Sequence, residues 1–384
     1  MAPQAGVMIA ANTDALLRLV HAGGGVVARR RLLDSHADAV AALAAGSRNW
    51  RTHGLDEAQV AALQDHAAEY QASRRWLEQP NHHLLGWHDP DYPALLRRIA
   101  SPPLALFIAG DPACLWHPAV AVVGSRSPSA GGRDNAFDFA QALAASGLAV
   151  TSGLAAGIDT AAHEGALAAG GQTIAVLGTG PDVPYPRSNA ALHRRITDAG
   201  AVVSEHPPGT LARREASPSR NRIIAGLTLG TLVVEAAERS GALITARMAI
   251  DCGRDVFAVP GSIHNPVARG CHRLIRDGAG LVERADEVIS AIGSLAAELA
   301  EALRGRLNGH TSPVSPAGPA SAGGRQALAG HHQVLWEALG HDPTGIDRLA
   351  SRTGLTAAEL SSMLLVMELE GHVAVEHGRY SRKR

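Results

Sequence analysis

Val120-Ala121-Val122-Val123-Gly124-Ser125-Arg126, continued by Ser127-Pro128-Ser129, is the stretch on which the fold turns. An unbroken apolar run with no polar alternate belongs to a strand covered on both faces. Gly124 ends it, and Ser127-Pro128-Ser129 leads into a helix from about Ala130. A strand passing through a glycine turn into a helix is the first half of a βαβ unit. The same grammar repeats downstream. Leu148–Val150, Thr173–Leu177, Ala201–Val203, Thr231–Val234 and Val256–Val259 are further short apolar runs, mostly ending at Gly, Ser, Glu or Pro. Helical segments of roughly a dozen residues separate them, which predicts a doubly wound α/β domain with a mostly parallel sheet.

Outward from this core, the reading predicts an all-α domain over residues 1–80, the α/β domain over 81–304, a linker over 305–330 and a further domain over 331–384. The first shows apolar residues at helical spacing: Leu16, Leu17, Leu19 and Val20, then Leu32 and Leu33, then Val60 and Leu63. Its Gly23-Gly24-Gly25 turn before Arg29-Arg30-Arg31 has the form of a SAM-like or helix-hairpin-helix element, although a plain helical adaptor fits as well. The linker is rich in Gly, Pro, Ser and Ala. Helices over His332–Leu339, Gly345–Ser351 and Ala357–Leu369, then a hairpin about Gly378, predict a winged helix at the carboxy end.

Composition narrows the function. The 384 residues are 46% hydrophobic and 18% charged with a net charge of −1, so a nucleic-acid site must be a local patch. Cys114, Cys252 and Cys271 stand far apart with no Cys-x-x-Cys pair, and no apolar run is long enough to span a bilayer. The expectation is a cytoplasmic protein with no membrane segment, metal or cofactor. No dinucleotide Gly-x-Gly-x-x-Gly, phosphate-loop Gly-Lys-Ser/Thr or Gly-x-Ser-x-Gly elbow occurs.

What remains is a set of anion-binding signals at strand ends, where open α/β sheets hold ligands. Gly124, Ser125 and Arg126 combine close backbone approach, free amides at a helix start and a two-pronged phosphate donor. Gly153, in Ser152–Asp159, forms a second lip. Arg213, Arg214, Arg220 and Arg222, with Asn221, are the densest basic stretch and are expected on the same rim as a phosphate track. Asp159 and His163, four apart on one helix, are read as a cap and a surface histidine. Glu235 at a strand end is read as a loop-orienting cap.

These blocks in this order resemble the DNA-processing protein A (DprA, also called Smf) family. The matching residues are Val122–Arg126, Ser152–His163, Tyr185-Pro186 with Asn189, Ser204-Glu205, Arg220–Leu227, Val233–Glu235, Ser240–Ala246, Val259–Gly261, and Leu274-Ile275 with Gly278-Ala279. The resemblance implies an extended Rossmann fold that binds single-stranded DNA, forms a homodimer and loads the RecA recombinase during natural transformation, without being an enzyme. By motif position it implies a phosphate loop at Gly124, Ser125 and Arg126, and a basic phosphate contact at Arg214. It further implies dimer positions at Ile275 and Leu281, and a recombinase-facing region near Ile250 and Asp255. Where the family commonly has a stacking Phe before Arg-Asn-Arg, this chain has Ser217, which has no ring to stack.

Two alternatives remain. Rossmann-like phosphoribohydrolases carry Pro-Gly-Gly-x-Gly-Thr before a catalytic Glu; here Gly230-Thr231 and Glu235 are kept, but Leu227-Thr228-Leu229 replaces the Pro-Gly-Gly. A regulator acting through the winged helix would want a basic domain. Here Arg325, Arg348, Arg352, Arg379, Arg382, Lys383 and Arg384 are balanced by Glu337, Asp342, Asp347, Glu359, Glu368, Glu370 and Glu376. That balance suits a protein contact or a regulatory role.

Overall fold

Alternation along β3 (Ala119–Val123) shows why the sheet is buried: Ala119, Ala121 and Val123 enter one apolar cluster, Val120 and Val122 another on the opposite face. In this computed structural model the described residues are 4–65, 68–213, 216–293, 295–297, 334–336, 338–339, 344–369, 372–376 and 379–382. They fall into two compact units, Met1–Leu307 and Asn308–Arg384.

The first unit is built on nine strands. Besides β3 these are β1 (His82–Gly86), β2 (Ala105–Gly110), β4 (Ala149–Ser152), β5 (Thr173–Leu177), β6 (Ala201–Ser204), β7 (Gly230–Val233), β8 (Asp255–Ala258) and β9 (Gly280–Leu281). Their order is β1-β2-β6-β5-β4-β3-β7-β8-β9. From β6 to β9 every pairing is parallel, while β1 and β2 add antiparallel to the β6 edge. The chain steps outward from β3 to β6, then returns to place β7 on the other side of β3. Between β3 and β7 the direction of winding reverses, which opens a crevice at their carboxyl ends.

Helices α1 (Gln4–His21), α2 (Val26–Asp34), α3 (Ala39–Ala44), α4 (Gly46–Thr52), α5 (Glu57–Gln64) and α6 (Ala68–Leu77) precede the sheet. Leu16 and Leu19 share a cluster with Leu104 and Ala105, and Leu17, Tyr70 and Trp76 share one with Phe107 and Ala109. The expected separation at residue 80 is therefore not a break in packing. Of the three arginines after the glycine turn, Arg31 is exposed, whereas Arg29 is buried and donates to the carbonyls of Leu19 (2.9 Å), Val20 (3.0 Å) and Gly24 (2.9 Å).

Further helices complete the layers: α7 (Ala94–Arg97), α8 (Ala130–Ala145), α9 (Ile158–Ala168), α10 (Ala190–Ala199), α11 (Ala216–Leu227), α12 (Gly241–Asp251), α13 (Arg269–Arg276) and α14 (285–293). Residues of α11 and α12 pack on one face, and residues of α8, α9 and α14 on the other.

In the second unit, β10 (Thr344–Gly345), β11 (Val373–Glu376) and β12 (Arg379–Arg382) form a sheet of order β10-β12-β11. With α15 (Ile346–Thr353) and α16 (Ala357–Leu369) they enclose Leu349, Leu360, Leu364 and Val373. Gly354 ends α15 in the left-handed region at φ +70°. α15, α16 and the β11–β12 pair match the sequence expectation, the expected helix His332–Leu339 lies partly outside the described residues, and β10 is the strand the expectation lacked. The predicted linker 305–330 lies outside the described residues.

Candidate functional site

The β3–β7 crevice is held shut at its base by backbone. Ser125 N–H donates to the Glu235 carbonyl at 2.6 Å, and Ile158 N–H to the Ser125 carbonyl at 3.1 Å. A Cβ on Gly124 would stand 2.6 Å from Ile158 Cγ1 and 2.7 Å from the Glu235 carbonyl oxygen, so only glycine lets these chains approach. Above this base lies a cavity of about 730 Å³. Its wall runs from Val123–Ser127 through Ala155 and Asp159 to Arg220, Asn221 and Ile224, and then to the start of α12 at Ser240–Ala242. Ser240 caps that helix, its hydroxyl accepting from Ala242 N–H at 3.3 Å. A helix start offers amides and positive potential to an anion.

The arginines sort into three groups. Arg126 is exposed, lines the cavity, and has no hydrogen-bond or ion-pair partner among the described residues. Arg213 and Arg239 line it too and are also exposed. Arg220 lines the cavity but is buried: its guanidinium donates to the carbonyls of Gly153 (2.8 Å) and Val176 and to Asn221 Oδ1 (2.9 Å). A Cβ on Gly153 would collide with that guanidinium, so Gly153 makes room for Arg220 instead of forming an anion lip. Arg222 departs furthest from expectation. It makes a two-pronged ion pair with Glu205 at 2.7 and 2.6 Å and also donates to the Ser101 and Ser219 carbonyls. This pins α11 to the end of β6, and Arg222 is not among the cavity's lining residues. Arg214 lies outside the described residues.

The carboxylates are structural. Asp159 lies in the first turn of α9 and accepts from the amides of Gly153 (3.1 Å) and Ala155 (3.3 Å), holding the loop before the helix. Burial pushes its pKa up, opposed by the charge of Arg220. His163 is fully buried, not on the surface as expected, with Nδ1 2.7 Å from Thr173 Oγ1. Glu235 accepts from Ser129 N–H (2.8 Å), Ser129 Oγ (2.6 Å) and Asn265 Nδ2 (2.9 Å), while Ser129 Oγ caps α8 by accepting from Gly132 N–H. Both of its oxygens are taken, and it does not line the cavity.

Elsewhere, Ile250 (59% exposed) and Asp255 are open to solvent, as is Leu281 (51% exposed), whereas Ile275 is half-buried against the core. Among the described residues no His/Cys/Asp/Glu group has metal-holding geometry, and no helix is long and apolar enough to cross a membrane.

Residues 83–293 match a family model described as DNA recombination-mediator protein A, and residues 318–379 match a DprA winged helix domain. The chain belongs to the DNA recombination-mediator protein A family. Protein Smf of Escherichia coli is 40% identical over 315 residues, covering 82% of this chain and 81% of that protein. DNA processing protein DprA of Streptococcus pneumoniae is 48% identical over 202 residues, covering 53% of this chain and 71% of that protein. The crystal structure of that pneumococcal protein superposes with a TM-score of 0.65 at 38% identity, covering 72% of this chain and 97% of its own. DNA processing protein A of Helicobacter pylori, described as having a unique single-stranded DNA binding mode, aligns with a TM-score of 0.50 at 25% identity, covering 56% of this chain and 96% of its own.

Arg126 stands at the crevice as its sequence position predicts, and two lining residues, Arg239 and Tyr185, were not expected there. Arg239 stands before the capped start of α12, on the β7 side of the crevice, as Arg126 stands before the capped start of α8 on the β3 side. That repeat of a strand end, an arginine and a serine cap was visible in the sequence. Tyr185, on the cavity wall, stood in the sequence only within the Tyr185-Pro186 block, with nothing to mark it as a site residue.

Proposed function

We propose that this protein is a cytoplasmic, non-catalytic single-stranded DNA-binding protein that protects incoming strands and loads the RecA recombinase during natural transformation or recombination. The observation that carries the reading is the exposed trio Arg126, Arg213 and Arg239 around one cavity at the β3–β7 switch, with Asp159 the lone carboxylate among the described lining residues. Guanidinium groups converging on capped helix starts suit a sugar-phosphate chain. The sites proposed for phosphate are Gly124, Ser125 and Arg126, joined by Arg213 and Arg239, with Gly153, Arg220 and Asn221 holding the wall. The Helicobacter relative supports the single-strand assignment.

Fluorescence anisotropy with single- and double-stranded oligonucleotides tests this. The wild type should prefer the single strand. Arg126→Ala should weaken binding and reduce the log–log salt slope by about 0.7, the loss of one single-strand phosphate contact. Arg222→Ala should leave the slope intact and instead lower the urea midpoint, because it removes a partly buried ion pair. Equal affinity for both DNA forms, or an unchanged slope in Arg126→Ala, would overturn the assignment.

The dimer and recombinase readings rest on separate surfaces. Leu281 lies on the edge strand β9, where an exposed leucine suits a second copy; Ile250 and Asp255 present an apolar side chain beside a charge. Leu281→Glu should reduce the sedimenting mass to one chain, and Ile250→Glu should abolish recombinase loading with DNA affinity preserved. An unchanged mass or unchanged loading would remove the corresponding surface.

A further inference from the structure

The cavity wall offers an aromatic face as well as charge. Most large apolar side chains exposed among the described residues are aliphatic; Tyr185 is the aromatic one, 55% exposed, on the cavity that Arg126, Arg213 and Arg239 border. Tryptophan and tyrosine rings elsewhere among the described residues are engaged. Trp76 stacks on His82 with centroids 3.9 Å apart, Trp87 lies beneath Arg30 and Arg97, and Tyr92 is buried with its hydroxyl on the Pro103 carbonyl. Tyr185 has no ring, cation or hydrogen-bond partner among the described residues.

Its loop is nonetheless firmly set. Thr179 Oγ1 donates to the Val183 carbonyl at 2.6 Å, Gly180 N–H to the Thr210 carbonyl at 2.9 Å, and Gly209 N–H to Asp182 Oδ1 at 2.8 Å. On the far side Asn189 Nδ2 donates to the Leu154 carbonyl at 3.0 Å and Thr160 Oγ1 at 2.9 Å. A ring carried on a loop tied at both ends is a preorganised surface, which lowers the ordering cost of binding a flat ligand. Ile244, 41% exposed, adds an aliphatic side chain to the same wall.

We propose that Tyr185 is the base-stacking platform of this site: a nucleobase of the bound single strand lies on its ring while the flanking phosphates meet the arginine rim. The inference rests on the single-strand reading and adds to it a base contact that tolerates any sequence, since every base has a π-face.

The test compares wild type, Tyr185→Ala, Tyr185→Phe and Arg126→Ala on a thymidine oligonucleotide and on an abasic oligonucleotide of equal length and phosphate number. Tyr185→Ala should weaken binding of the thymidine strand by roughly 5- to 150-fold, the range for a lost stacking contact. It should leave abasic binding and the salt slope unchanged, and Tyr185→Phe should bind as the wild type does. Thermal melting of each variant checks that the fold persists. If Tyr185→Ala equals wild type on the thymidine strand, or loses equally on both strands, stacking is overturned while the Arg126→Ala result still stands for the phosphate track. Failure of the wild type to bind either strand overturns both readings together.

Discussion

Arg220 and Arg222 are two positions apart on α11 and live in opposite surroundings. One is buried against the Gly153 and Val176 carbonyls with Asp159 as its nearby countercharge; the other is spent on Glu205 and two carbonyls. A buried guanidinium demands acceptors, and the Gly153 and Val176 carbonyls, with Asn221 Oδ1, serve Arg220. The same burial governs His163. Thr173 Oγ1 donates to the Val150 carbonyl, so it accepts from His163 Nδ1–H, which leaves Nε2 as an unpartnered acceptor in the interior. Burial, reinforced by the charge of Arg220, pushes the imidazole from 6.5 down to about 3. The folded chain therefore refuses a proton that the unfolded chain takes up near pH 6.5. Stability from this group is complete above that pH and is lost as pH falls towards 3. Urea midpoints measured from pH 7.5 to 4 should fall more steeply for wild type than for His163→Gln; parallel curves would show that His163 does not titrate as its burial requires. Sequence pattern could list these arginines as a basic run, but whether a guanidinium meets water or carbonyls depends on partners as far as 121 residues away. Arg126 was legible because its surroundings are local: a strand end before a serine-capped helix.

At the scale of elements, strands β3 to β8 were legible because burial on both faces leaves continuous apolar runs. The antiparallel pair β1–β2 was not. His82-His83 gives β1 no apolar run, and β2, although apolar throughout, follows Pro102-Pro103 with no helix pattern to frame it as a βαβ unit. Its two faces serve different layers: Leu106 and Ile108 join the α11 side, while Phe107 and Ala109 join the amino-terminal helices. This is why the amino-terminal helices share a core with the sheet. The start of α8 is the element on which the site depends most, because it aims the loop bearing Arg126. Ser129 caps it, and Glu235 from the end of β7 holds Ser129 by both amide and hydroxyl. Removing the carboxylate strips three hydrogen bonds from a buried junction and loosens the cap. Glu235→Ala should therefore cost about 1–3 kcal/mol in urea denaturation, combining a weakened cap with unsatisfied donors. A hydrolytic role for Glu235 would give the opposite pair of results: unchanged stability and lost release of free base from nucleoside monophosphates.

At the scale of the whole molecule, a chain with net charge −1 cannot attract DNA by bulk charge, so binding must be decided where cations are left unneutralised. The exposed arginine trio lies wholly within Met1–Leu307. The second unit, Asn308–Arg384, has its own apolar core about Leu349, Leu360 and Leu364, and near-equal acidic and basic residues from Arg325 onward. In α15, Asp347 at the first turn and Arg352 at the last complement the helix dipole, which is ordinary helix stabilisation. A chain ending at Leu307 should therefore bind a single-stranded oligonucleotide within about twofold of the full-length affinity, with the same salt slope. The isolated 308–384 segment should bind weakly, at the level of non-specific contact. Titrating both pieces beside the full chain at two salt concentrations separates the possibilities. A shallower slope in the shortened chain would mean that phosphates are also gripped beyond residue 307, and the basic residues near the carboxy terminus, Arg382 to Arg384, would be the ones to replace next.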